Sequence, residues 1–133
     1  MPGTLTIGTL SDGTNSTSAT NCISGSAKAW VNFNGVTTAT TRASYNVSSV
    51  TRNGTGDYTV NFTNALTDAN YVVVSTGGTY ITSAGSYGYG LGVLLTNATT
   101  YTAKTTSAVR LTEAQQALGS VADLFDVNIA IFR

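Results

Sequence analysis

Histidine is missing altogether from this chain of 133 residues, and cysteine, proline, tryptophan and methionine each occur once. Without an imidazole there is no Ser-His-Asp triad, no Cys-His dyad and no histidine ligand for zinc. The lone Cys22 can neither close an internal disulfide nor build a thiolate metal site. It is expected as a small buried hydrophobe at the start of the first core strand. Charge is scarce too. Lys plus Arg number 6 and Asp plus Glu number 6, together 9% of the chain with no net charge, against roughly 25% in an ordinary soluble domain. So few scattered cations argue against a nucleic-acid partner, which needs clustered positive charge. No apolar run approaches the ~20 residues of a membrane span. The opening Met1-Pro2-Gly3-Thr4 has neither the basic nor the apolar region of a secretion signal.

What the chain does have is Thr (25 residues), Ser (13) and Asn (11), which leaves hydrophobic residues at 41%. Thr, Val, Tyr and Ile favour strands, and Gly, Asn, Asp and Ser supply turns. The period is two almost throughout. Ala27, Ala29, Val31 and Phe33 share one face; Lys28, Trp30, Asn32 and Asn34 share the other. Ala43, Tyr45 and Val47 alternate with polar neighbours, as do Tyr58, Val60 and Phe62. Between those two runs Asn53-Gly54-Thr55-Gly56-Asp57 is a turn cluster, which predicts a hairpin joining them. Residues 70–75 are nearly all apolar, as in a strand buried on both faces. Further strands are expected over 91–96, 99–105 and 125–132, and one or two helical turns over 112–119, with Thr112 as N-cap and Gly119 as the stop. Residues 11–21 are almost wholly polar and read as a long loop or arm.

About eight short strands at regular spacing point to an all-β fold, an antiparallel β-sandwich, jelly-roll-like or a partly closed barrel. The expected division is an extended polar N-terminal arm over 1–21 and the β-domain over 22–133. Several strands carry apolar side chains on both faces. Trp30 lies opposite Val31 and Phe33; Phe132 lies opposite Ile129 and Ile131. A domain this size buries roughly 65–70% of its unfolded surface, which leaves little room for two-faced strands in one monomer. A symmetric interface would bury the second face. A homo-oligomer with Trp30 and Phe132 at the interface is therefore expected.

An ordered series of motifs carries a family resemblance. Ala27-Lys28-Ala29-Trp30-Val31-Asn32-Phe33-Asn34-Gly35 resembles a signature of tailed-bacteriophage virion proteins. Arg42-Ala43-Ser44-Tyr45-Asn46-Val47-Ser48-Ser49-Val50 follows it, then Asn53-Gly54-Thr55-Gly56-Asp57-Tyr58-Thr59-Val60-Asn61-Phe62, then Asp68-Ala69-Asn70-Tyr71. The closing Val127-Asn128-Ile129-Ala130-Ile131-Phe132 is similar to the end of such modules. The resemblance implies a trimeric structural module at the C-terminal tip of a phage tail fibre, exposed on the virion. A fibre has a long shaft before such a tip, whereas here Met1 stands only a short stretch before the first motif. A capsid decoration (cement) protein is therefore the alternative expectation. The implied partners are further copies of the chain, other capsid or tail proteins, and a host-surface glycan.

Candidate chemistry is thin. Asp123 and Asp126 are the closest carboxylates in sequence, and glycan hydrolysis uses such a pair, but the pair needs a cleft; turn and cap roles are the expectation, with Asp57 at a hairpin exit and Asp68 in an Asx turn. Asp12 with Asn15, or Asp68 with Asn70, falls short of the ligand count of a Ca²⁺ site. The Asn-X-Ser/Thr sequons, such as Asn53-Gly54-Thr55, follow from the Thr-rich composition. No catalytic residue, metal or cofactor is expected. The best recognition candidate is the Gly- and Tyr-rich stretch holding Tyr80, Tyr87 and Tyr89, because Tyr supplies contact area and a hydroxyl at low entropic cost.

Overall fold

A computed structural model of the chain describes residues 3–78, 91–93, 103–113 and 123–133. The described residues form ten strands and one short helix. They are β1 (Thr9–Ser11), β2 (Ser16–Ser18), α1 (Ala19–Gly25), β3 (Ala27–Asn34), β4 (Thr40–Tyr45) and β5 (Val47–Gly54), then β6 (Asp57–Phe62), β7 (Val72–Gly78), β8 (Leu91–Val93), β9 (Ala108–Glu113) and β10 (Asp126–Phe132). Every ladder is antiparallel. Apart from the β1-β2 hairpin, the strands fall into two four-stranded sheets, ordered β4-β3-β10-β7 and β5-β6-β9-β8. The fold is all-β as expected. The two sheets are separate ladders, so no closed barrel forms among the described strands.

Side chains two residues apart share a sheet face, and this selects the core. Ala29, Val31 and Phe33 of β3 and Val127, Ile129 and Ile131 of β10 join Tyr58, Val60 and Phe62 of β6 and Val109 and Leu111 of β9 in one buried cluster. Each large side chain so buried stabilises the fold by about 1.5–3 kcal/mol. Phe33 and Tyr58 meet edge to face across the two sheets, with centroids 5.2 Å apart.

The Tyr58 hydroxyl is the polar node of this core. It accepts the Leu124 N–H at 3.2 Å and lies within donating distance of the Gly35 carbonyl (3.3 Å) and Asp123 Oδ1 (3.2 Å). A Cβ at position 35 would overlap that hydroxyl and the phenol ring. The glycine closing the first motif and the tyrosine of the third are thus one packing unit.

Several local expectations differ from the structure. The chain has two strands over 40–54 where one run before the turn was expected. It changes sheet at Asn46, whose φ of 53° places it in the left-handed region, one that Asn tolerates better than most residues. Asn46 Nδ2 donates to the carbonyls of Lys28 and Asn64, and its Oδ1 accepts the Asn64 N–H. The hairpin at residues 53–57 therefore joins β5 to β6, with Gly56 at positive φ in its two-residue turn.

Residues 70–75 do not form a strand buried on both faces. β7 is an outer strand in the order of the described sheet, and Val72 and Val74 are exposed. Thr112 is no helix cap but part of β9, paired with Asp57 and Gly92, and Glu113 ends that strand; the rest of that expected helix, 114–119, lies outside the described residues, as do residues 94–102. Residues 11–21, expected as loop or arm, contribute to the β1-β2 hairpin and α1. Ser18 caps α1 through its Oγ, which accepts the Asn21 N–H at 3.1 Å. Cys22 is not a buried residue of a core strand; it is exposed on α1.

Candidate functional surface

Charged side chains come first, because they carry most chemistry. All four arginines pair with aspartates: Arg42 with Asp126, Arg52 with Asp123, Arg110 with Asp57 and Arg133 with Asp68, at 2.5–2.8 Å. All four contacts tie together segments far apart in sequence. Asp57 and Arg110 bridge neighbouring strands β6 and β9. Bulges help to aim the side chains. β3 and β4 slip register between Asn32 and Phe33, leaving Arg42 as the extra residue. A bulge of this kind redirects a side chain, and Arg42 also donates to the Phe125 carbonyl at 2.7 Å and lies over its ring.

Asp123 and Asp126 do not share a site. Asp123 accepts from Arg52 and the Gly56 N–H, with the Tyr58 hydroxyl within donating distance; Asp126 accepts from Asn32, Asn128 and Arg42. Burial pushes the Asp123 carboxyl up, but the Arg52 hydrogen bond, with the Gly56 amide, outweighs it and holds the group below the ordinary carboxylate range. Hydrogen bonds from Asn32 and Asn128 hold Asp126 low. A general acid for glycoside cleavage needs a carboxyl raised towards neutrality, and both shifts run the other way. Asp68 forms the expected Asx turn, accepting the Asn70 N–H at 2.7 Å. Asp12 likewise closes its own turn onto the amides of Thr14 and Asn15. Among the described residues no three His, Cys, Asp or Glu side chains gather as a metal site.

Among the described residues, one uncovered feature is the outer face of the β4-β3-β10-β7 sheet. Its inner face supplies the core; its outer face carries a lateral row of apolar side chains. Cross-strand pairing sets Tyr45 beside Trp30, Trp30 beside Ala130 and Ala130 beside Val74. One pleat along, Phe132 stands beside Val72. Trp30 is 40% exposed, Val74 51%, Tyr45 58% and Val72 61%; Phe132 is half-buried. Ala130 is the small residue in the row, and over it lies a shallow depression of about 280 Å³ walled by Trp30, Val74, Asn32, Asn128 and Thr76. Grouped apolar exposure of this kind, rimmed by polar side chains, marks an interaction surface.

Of the residues singled out from sequence, Trp30 and Phe132 thus lie on one outer face, while Tyr80, Tyr87 and Tyr89 lie outside the described residues. Tyr45, Val72, Val74 and Ala130 were not foreseen as members of this face. Their membership depends on which strands neighbour β3 and β10, and no local pattern encodes that. The described residues contain no helix long and apolar enough to cross a membrane. No family model matches the chain, and no curated protein or solved structure is significantly similar to it.

Proposed function

We propose that the chain is a non-enzymatic structural protein of a phage particle's exterior: a β-sandwich protomer that assembles as a homotrimer and acts as a tail-fibre-tip-like adhesion module. The observation that carries the reading is the apolar row Tyr45, Trp30, Ala130 and Val74, uncovered in the single chain. A neutral protein that leaves its one tryptophan partly exposed on a sheet face is built to pack against another surface. The virion assignment is supported by the motif resemblance over Ala27 to Tyr71 and the last strand. The stretch holding Tyr80, Tyr87 and Tyr89 is the proposed contact for a host-surface glycan, and three copies would multiply a weak single contact.

A second reading, capsid decoration, is favoured by one observation. Leu5, Ile7, Leu10 and Ile23 of the N-terminal segment are exposed, as in a clasp that grips a neighbouring shell protein. Gold-labelled antibody against the chain, imaged on intact particles, tests both. Label at the tail tip supports the adhesion module, label over the head supports decoration, and particles without label refute the virion assignment.

A further inference from the structure

The apolar row on the sheet has a counterpart that is equally uncovered. None of residues 3–25 is buried. Leu5 is 82% exposed, and with Ile7, Leu10, Ala19, Cys22 and Ile23 it lines a groove of about 400 Å³. Ahead of β1, Thr4-Leu5-Thr6-Ile7 alternates polar and apolar with the period of a strand, yet residues 3–7 belong to no strand. Hairpin strands of three residues and a helix of seven do not keep their order unaided. No charged side chain precedes Asp12, and the row from Tyr45 to Val74 has none either, so no side-chain charge sets the two surfaces against each other.

Symmetry then decides how they combine. A single self-complementary patch gives twofold pairs, whereas a closed ring of three needs two different patches, each meeting the other on a neighbour. This protomer has two such patches, and they lie at the same end of the sheet. β3 starts at Ala27, just after α1, and Ala27 faces Phe132, which in turn faces Val72. Lys28, the extra residue of the β3-β10 bulge, ties α1 to this end by donating to the Ile23 carbonyl and Ser26 Oγ.

We infer that residues 3–25 of one copy dock on the outer face of the β4-β3-β10-β7 sheet of the next, with Leu5 and Ile7 seated over Ala130 between Trp30 and Val74, and that the ring closes at three. This rests on the trimer reading and names the contact that closes it. The test is the double variant Leu5→Asp/Ile7→Asp, at two positions exposed in the lone subunit. Wild type is expected to sediment at three times 13.7 kDa and the variant as a single chain, with Trp30 emission moved to longer wavelength. A variant that stays trimeric with unmoved emission overturns this contact but not the trimer; a monomeric wild type overturns both.

Cross-linking gives an independent readout. Chains carrying Cys22→Ser with Ile7→Cys are mixed with chains carrying Cys22→Ser with Ala130→Cys and oxidised. The expected product joins position 7 of one chain to position 130 of another. Links only between two position-7 cysteines overturn the proposal.

Discussion

At the residue scale, Gly35 and Tyr58 show how tightly the two sheets are keyed. Replacing a glycine by alanine usually helps by about 0.4–1 kcal/mol through the unfolded chain where the native backbone allows it. Here the added Cβ meets the Tyr58 phenol, and overpacking of this kind costs about 1–3 kcal/mol. Gly35→Ala is therefore expected to lower stability by about 1–2 kcal/mol, measured by urea unfolding. The titrating residues make a second prediction. Hydrogen bonds from Arg110 hold Asp57 below its usual range and those from Arg133 hold Asp68 below it, and Asp123 and Asp126 are lowered too. A depressed carboxylate contributes stability that is present above its unfolded pKa and lost as pH falls through the folded one. Burial raises Tyr58 to about 12, so its contribution is present below the unfolded value of 10.0 and lost as pH rises towards 12. With no histidine to titrate between, the urea midpoint is expected to stay flat from about pH 5 to 9 and to fall on both sides. A slope between pH 6 and 8 would contradict the assignment of these groups.

At the scale of elements, the strands were legible where one face is buried and the other wet. β3, β6 and β10 read directly from alternation, because Ala29, Val31 and Phe33, or Val127, Ile129 and Ile131, all point into one core. The helix expected from Thr112 failed at its start for the opposite reason. Good helix formers follow Thr112, but ladder bonds to Asp57 and Gly92 hold it in β9, and tertiary pairing overrides local propensity. The sheet change at Asn46 was hidden because a single left-handed residue interrupts no hydrophobic pattern. A second such position lies in the β3-β4 connection. Thr37 has φ of 59° and sits under a Thr38 N–H to Val36 carbonyl bond of 2.7 Å. A β-branched residue is strained there by roughly 1–2 kcal/mol. Glycine removes that strain and gives back about 0.5–1 kcal/mol as chain entropy. Thr37→Gly is thus expected to raise the melting temperature by a few degrees; a fall would mean that the Thr37 side chain holds the loop.

At the scale of the whole molecule, two-faced strands were readable from Trp30 and Phe132 alone, but the shape of the uncovered surface was not. The row needs Tyr45 from β4 and Val74 from β7, far apart in sequence and brought together by strand order. The N-terminal apolar cluster is not legible in the sequence because the polar run 11–21 separates Leu5, Ile7 and Leu10 from Ile23. If the row is buried between copies, a cation placed on it must be expelled. Trp30→Lys is expected to leave the circular dichroism of the sheets unchanged and to weaken assembly at least about thirtyfold, since an interface tryptophan carries about 2 kcal/mol or more. Ionic strength tests the same surface from another side. With no unpaired charges in the row, raising salt from about 0.1 to 1 M is expected to shift the dissociation constant by less than about threefold.

The most direct measurement of the central claim, that the outer sheet face is covered by other copies of the chain, is the mass of the intact protein in dilute solution by sedimentation equilibrium. The account predicts a species of three times 13.7 kDa at micromolar concentration. A single species of 13.7 kDa across the whole concentration range would contradict it.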